Sequence, residues 1–157
     1  MKVRRYQVSE RIEIGAPVEK VYALAADPRL VPSYAPEVVR IERVRKLSDR
    51  AELVRSYVRV GGLTFAYLYR YCYRPPTHYS GVQEGGRLLR GYFGLSFRPR
   101  GGGTLVSHAE GILSPVPGLA RVVGFLYFRV LARGGVRDEL ESLKRLVEAW
   151  PDADKKN

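Results

Sequence analysis

The sequence predicts an α+β domain in which a curved, seven-stranded antiparallel sheet wraps around one long C-terminal helix, with one or two short helices after the first strand. Three observations carry this prediction. Segments of alternating apolar and polar residues recur with very short Gly- or Ser-Asp connections, and short connections join antiparallel neighbours. Beyond Pro117 the spacing changes to that of a helix. No repeat and no linker divides the 157 residues, a length suited to one core.

Each element has its own signal. Tyr6, Val8, Ile12 and Ile14 alternate with Arg5, Gln7, Ser9, Arg11 and Glu13, a first strand that Gly15 ends. Pro17 suits the first turn of a helix, where its missing N–H costs nothing. Val18, Val21, Tyr22 and Ala25 follow at helical spacing, and Asp27-Pro28 stops them. The stretch 29–37, with Pro32 and Pro36, allows no more than a short helical turn. Residues 37–47 and 50–60 read as two strands joined by Ser48-Asp49. Gly61-Gly62 leads into GLTFAYLYRYCYRPP, residues 62–76, where Phe65, Tyr67, Tyr69, Tyr71 and Tyr73 fall on one face of a strand that Pro75-Pro76 ends. That aromatic face is expected to point inward, because a long exposed aromatic strip favours association. Strands over 77–84, 87–98 and 104–113 complete the meander, with turns at Gly85-Gly86 and Gly101 to Gly103. Leu119, Val122, Val123, Leu126, Val130, Leu140, Leu143 and Val147 then mark the long helix, softened at Gly134-Gly135. The domain is drawn as 1–150, with 151–157 a polar tail.

Composition narrows the class. The chain is 45% hydrophobic and 27% charged, ordinary for a soluble globular protein, but its net charge of +11 is not ordinary. Such a field attracts nucleic acid, anionic lipid or acidic ligands. The arginines are scattered, with no block of like charge, which argues against a dedicated nucleic-acid surface. An Arg-rich chain with one Cys and one Met also has a thermophile-like surface. With Cys72 alone no intrachain disulfide forms, and a reducing cytoplasm is the expected compartment. Residues 119–132 are too short and too charged to span a bilayer.

The stretch IEIGAPVEKVYALAADPRLVPSYAPEV, residues 12–38, the Pro75-Pro76 pair and the ending RDELESLKRLVEA resemble the START / polyketide cyclase-dehydrase superfamily (SRPBCC), which has the helix-grip fold. The likeness runs from residue 3 to about 149. Within the superfamily it is greatest to the branch typified by the G subunit of carbon-monoxide dehydrogenase. It implies a cavity between sheet and helix that binds a lipid or another hydrophobic small molecule. It implies no shared catalytic residue, and function has to be argued from the site.

Two constellations are candidates. Glu10 interrupts the apolar face of the first strand, and His108 and Glu110 share a face of the last. The resemblance sets these strands side by side, so the three are the expected acid–base residues of a cyclase- or hydrolase-like enzyme. The alternative is that Glu10 pairs with an Arg and His108 is a satisfied core residue. Tyr22, Tyr34, Tyr67, Tyr69, Tyr71, Phe93, Phe125 and Phe128, with Tyr127, are the expected ligand-binding walls, apolar rings that bear hydroxyl handles. Two histidines and one cysteine without metal-ligand spacing give no metal site, and no cofactor is expected. The expectation is a carrier or accessory protein with a lipophilic ligand, more than an enzyme. An anionic membrane surface is the second partner that the charge allows. RNA binding through a basic aromatic sheet is the weaker alternative, since the usual basic residue before the Gly of GYFGLSF is missing.

Overall fold

The computed structural model describes residues 3–131 and 135–152. Its elements are β1 (Arg4–Ile14), α1 (Val18–Ala25), α2 (Val31–Tyr34), β2 (Val38–Ser48), β3 (Ala51–Val60), β4 (Leu63–Arg74), β5 (His78–Gln83), β6 (Arg90–Arg100), β7 (Gly103–Ser114), α3 (Leu119–Leu126), a π-helical segment (Tyr127–Leu131) and α4 (Gly135–Ala149). The strands form one antiparallel sheet in the order β1-β7-β6-β5-β4-β3-β2. This is the meander of the sequence reading, with the first strand laid beside the last.

Three details depart from expectation. Pro17 is the N-cap of α1, one place before the first helical residue. Strand β6 begins at Arg90 rather than at Arg87, and the Gln83 side chain accepts the Gly91 N–H at 3.0 Å. The long helix is two helices. Gly135 stands at φ 56°, a left-handed conformation that no continuing α-helix allows, and α4 starts there. Gly134, the other half of the expected soft point, lies outside the described residues.

The two helices use their apolar residues differently. In α4 the stripe Val136, Leu140, Leu143 and Val147 is buried, as its spacing requires. In α3 the residues Val122, Phe125 and Leu126 are exposed, and Ala120 and Gly124 face inward. A side chain on Gly124 would overlap the Tyr6 ring, so only the small-residue face lets α3 lie against β1. The Val130 side chain lies outside the described residues.

The sheet's concave face is covered unequally. At the end nearer α1, the side chains of Ile14, Val21, Tyr22, Tyr34, Val54, Tyr79, Leu95, Phe97, Val106, Leu140, Leu143 and Val147 form one buried core. The one buried acid there among the described residues, Glu52, is paired with Arg43 and accepts the Tyr73 hydroxyl at 2.6 Å. At the end nearer α3 the same concave face is open. That opening positions the site.

Candidate functional site

The aromatic face of β4 is the inward one. Tyr71 lies opposite Gly81 and Tyr69 opposite Gln83 on β5, and Tyr71 is buried while Cys72 is exposed. The rings that a base-stacking reading needs on the outside are therefore turned to the concave side. Phe65 at the rim is 42% exposed, so the ladder runs from solvent to core.

Between the closed core and the opening stands a partition of rings. Tyr71 meets Tyr79 and Phe93 edge-on with centroids 5.5 Å and 5.2 Å apart, and Tyr69 meets Tyr71 at 6.1 Å. Edge-to-face packing at these separations is the favoured geometry of aromatic pairs. Beyond the partition lies a cavity of about 360 Å³, within the size of small-molecule sites. Tyr67, Tyr69, Tyr71 and Phe93 line it from the sheet, and Val123, Tyr127 and Phe128 from the covering helices. Gly91 on β6 keeps it open there, since a Cβ on that residue would sit 2.9 Å from the Tyr69 hydroxyl.

Its charged groups are acidic. Glu37, Glu110 and Glu139 all line the cavity. Glu110 Oε1 lies 3.3 Å from His108 Nε2, and Glu139 Oε2 on α4 lies 3.5 Å from His108 Nδ1, so a buried imidazole stands between two carboxylates. Tyr127 donates its hydroxyl to Glu37 Oε2 at 3.3 Å. Burial holds the Glu139 carboxyl well above the usual carboxylate range, and repulsion from Glu110 and Glu37 adds to it. Burial raises Glu37 as well, with Glu110 repelling and the Tyr127 hydrogen bond opposing. Burial pushes up the Tyr69 and Tyr127 hydroxyls, which stay protonated donors.

The sequence candidates divide accordingly. His108 and Glu110 come together. Glu10 pairs in register with His108, but it is on an edge strand, half exposed, with its carboxylate 3.9 Å from Arg137. It stays at the rim, outside the His108 cluster. Tyr67, Tyr69, Tyr71, Phe93 and Phe128 line the cavity. Tyr22 and Tyr34 do not: Tyr22 packs on Phe97 in the closed core, and the Tyr34 hydroxyl donates to the Ala25 carbonyl at 2.6 Å. Phe125 also falls outside the lining, half exposed on the outer face of α3. Glu37 and Glu139 were missed. Glu139 was legible, because it lies on the stripe of Val136, Leu140 and Leu143, where an acid is out of place.

His108, Glu110 and Glu139 also offer three ligand atoms within 4.8 Å of one another. The two ring nitrogens face different carboxylates, however, and one ion can take only one of them. An imidazole with a carboxylate at each nitrogen suits proton transfer better than a tripod of ligands.

A family model described as "Polyketide cyclase / dehydrase and lipid transport" matches residues 5–148. No curated protein sequence matches the chain. Among solved structures, TTHA0849 from Thermus thermophilus is similar at 24% identity over 92% of this chain and 98% of that one, with a TM-score of 0.72. The Zhui aromatase/cyclase from Streptomyces sp. R1128 is similar at 14% identity over 92% and 94%, TM-score 0.73. The di-domain ARO/CYC BexL from the BE-7585A biosynthetic pathway is similar at 19% identity and TM-score 0.72. This chain covers 94% of its own length in that match and spans 51% of BexL. These likenesses establish the fold.

The elevated Glu139 makes stability depend on pH in a stated direction. The folded protein binds this proton more tightly than the unfolded chain, so the contribution is complete below the ordinary carboxylate value. It is lost as pH rises through the elevated one. Glu139→Gln is expected to raise the urea midpoint at pH 8 and to match the parent at pH 4. An equal loss at both pH values would mean that the carboxylate is a structural partner of His108.

Proposed function

The chain belongs to the polyketide cyclase / dehydrase and lipid transport family, and on that premise we propose that it binds a hydrophobic small molecule or lipid between sheet and C-terminal helices, in a carrier or accessory role. One observation carries the reading: a cavity of about 360 Å³ whose walls are mostly rings and aliphatic side chains, with a smaller number of polar groups among them. Ile112 lies on the cavity wall, and Ile112→Trp fills the space from a strand. Nile red, an uncharged probe, is expected to bind the parent and to lose at least tenfold in affinity in this variant, with unchanged far-UV circular dichroism. Native mass spectrometry of the fresh parent is expected to give a co-purified lipophilic mass. Undiminished dye binding by the variant together with a ligand-free parent would end the reading.

An anionic membrane is the proposed place of loading or delivery. Val122, Phe125 and Leu126 are exposed on α3 beside the cavity, with Arg121 on the same helix, a combination suited to an anionic interface. Vesicles with phosphatidylglycerol are expected to pull down the parent, and Leu126→Asp to weaken this several-fold. Equal binding to purely zwitterionic vesicles would refute it.

A second reading, acid–base catalysis, is favoured by the buried imidazole between Glu110 and Glu139. A cyclase-like step begins with removal of a proton next to a carbonyl, and a positioned base is worth on the order of a hundredfold or more. In D2O the protein would accelerate exchange at carbon 2 of 1-tetralone, and His108→Asn would remove about a hundredfold of that. Exchange no faster than in buffer would exclude this reading for a ketone of this size.

A further inference from the structure

The charge of the cavity is opposite to that of the protein. The chain has 27 Lys and Arg against 16 Asp and Glu, yet the cavity is lined by three glutamates and, among the described residues, by no Lys or Arg. The closed core shows how this fold neutralises an acid that serves structure: Glu52 is paired with Arg43 and with the Tyr73 hydroxyl. Glu37, Glu110 and Glu139 receive no such cation from the lining. One imidazole, His108, stands against three carboxylates.

A second feature points into the same cluster. His108 is 3% exposed, and its Nε2, on the Glu110 side, is buried without a hydrogen-bond partner. When the ring proton is on Nδ1, facing Glu139, Nε2 presents a lone pair that accepts from a donor. The rings of Tyr69, Tyr127 and Phe128 line the surrounding walls, and the two tyrosines add hydroxyls. A ring face attracts cations, most strongly where water is excluded.

We propose that the cavity takes an amphiphilic cation, an alkyl or arylalkyl ammonium whose head lies among Glu37, Glu110 and Glu139 and whose apolar body lies against Tyr69, Phe93 and Phe128. The proposal rests on the reading of this cavity as a small-molecule site and names the class of its ligand. An anionic lipid or fatty acid would add a negative charge beside carboxyl groups that already repel one another and is selected against. A neutral ligand would leave buried carboxylates without a counter-charge, the costly arrangement that the core avoids at Glu52.

Without a cationic ligand, protons do the work that the ligand's charge would do. The elevated Glu139 and Glu37 take up protons because burial and their mutual repulsion disfavour three charges. The groups facing them are Glu110 and His108 on β7, Tyr127 after α3, Tyr69 and Tyr71 on β4, and Tyr34 on α2. A bound ammonium reverses that preference and expels the protons, so its affinity rises as pH rises through the elevated carboxyl values.

Three probes of one skeleton test this by titration calorimetry at pH 7.5: 4-phenylbutylamine, 4-phenyl-1-butanol and 4-phenylbutanoate. The amine is expected to bind at least tenfold tighter than the alcohol, and the carboxylate more weakly than either. The amine alone is expected to tighten between pH 5.5 and 8. Glu37→Gln with Glu110→Gln and Glu139→Gln is expected to abolish the amine's advantage while keeping the alcohol's affinity. Should that triple variant fail to fold, Glu37→Gln alone is expected to narrow the gap several-fold. An amine no tighter than the alcohol would overturn the ammonium assignment and leave the hydrophobic-cavity reading standing. Absence of binding by all three would overturn both.

Discussion

The architecture turns on a residue without a side chain. Gly81 on β5 lies beneath Phe93 and Tyr71, and a Cβ there would overlap the Phe93 ring and sit 2.9 Å from Tyr71. Because that volume is vacant, Tyr71, Tyr79 and Phe93 settle onto the strand and close edge-on around one another. They divide the concave face into a packed half and an open half. Below them lie Leu95, Phe97, Val106 and the α4 stripe; above them is the cavity. The same rings thus complete a core and floor a pocket. A curved sheet with one covering helix has surplus concave area, and this partition decides where the surplus collects.

The helices follow the same division. The buried stripe of α4 at Leu140, Leu143 and Val147 seals the packed half against α1 and α2. Over the open half the cover is thinner. Segment α3 touches β1 through Ala120 and Gly124, with Gly124 against the Tyr6 ring. The π-helical turn that follows brings two consecutive residues, Tyr127 and Phe128, onto the cavity, with Phe128 stacked on Tyr6 at 6.0 Å. Such turns are common at functional sites. Ala120 and Gly124 are the buried residues of α3, and elements with little buried side-chain surface are those that open most readily. The exposed apolar residues of α3 lie on this weakly held cover, where binding to an apolar surface would also act on the cavity mouth.

The fold was legible because each strand alternates and each turn is marked by glycine or proline. The expected inward face of β4 proved correct for a physical reason, since five rings in line have too much apolar surface to leave in water. The site was legible in part. His108 and Glu110 announced themselves as polar residues on an apolar face. Phe125 misled, because helical spacing alone does not say which side of an amphipathic segment is packed. In α3 the deciding contact is Gly124 against Tyr6, which depends on a strand more than a hundred residues away in the chain. Tyr22 and Tyr34 misled differently, because their rings belong to the half that the partition seals. Glu37 gave no signal, for it stands just before β2, after Pro36, where no period applies. What was hidden was every fact that depends on the partition, and the partition depends on a glycine that the sequence shows only as a weak point in a strand.

The placement of acids completes the physical picture. A basic cavity in a protein of net charge +11 would follow from composition alone and would call for no account. Here the convex side of the sheet has Arg70 paired with Glu84 and Arg55 near Glu42, surface pairs that contribute little to stability. The concave side instead confines Glu37, Glu110 and Glu139 behind an aromatic wall, where their charges repel and their desolvation is costly. Nothing in the packing requires this: Glu139 interrupts the stripe that holds α4 down, and a leucine there would extend it. A residue that weakens the seam it sits on, and that lies with two others of its kind around a ring-lined space, is better explained by what enters that space than by the fold that surrounds it.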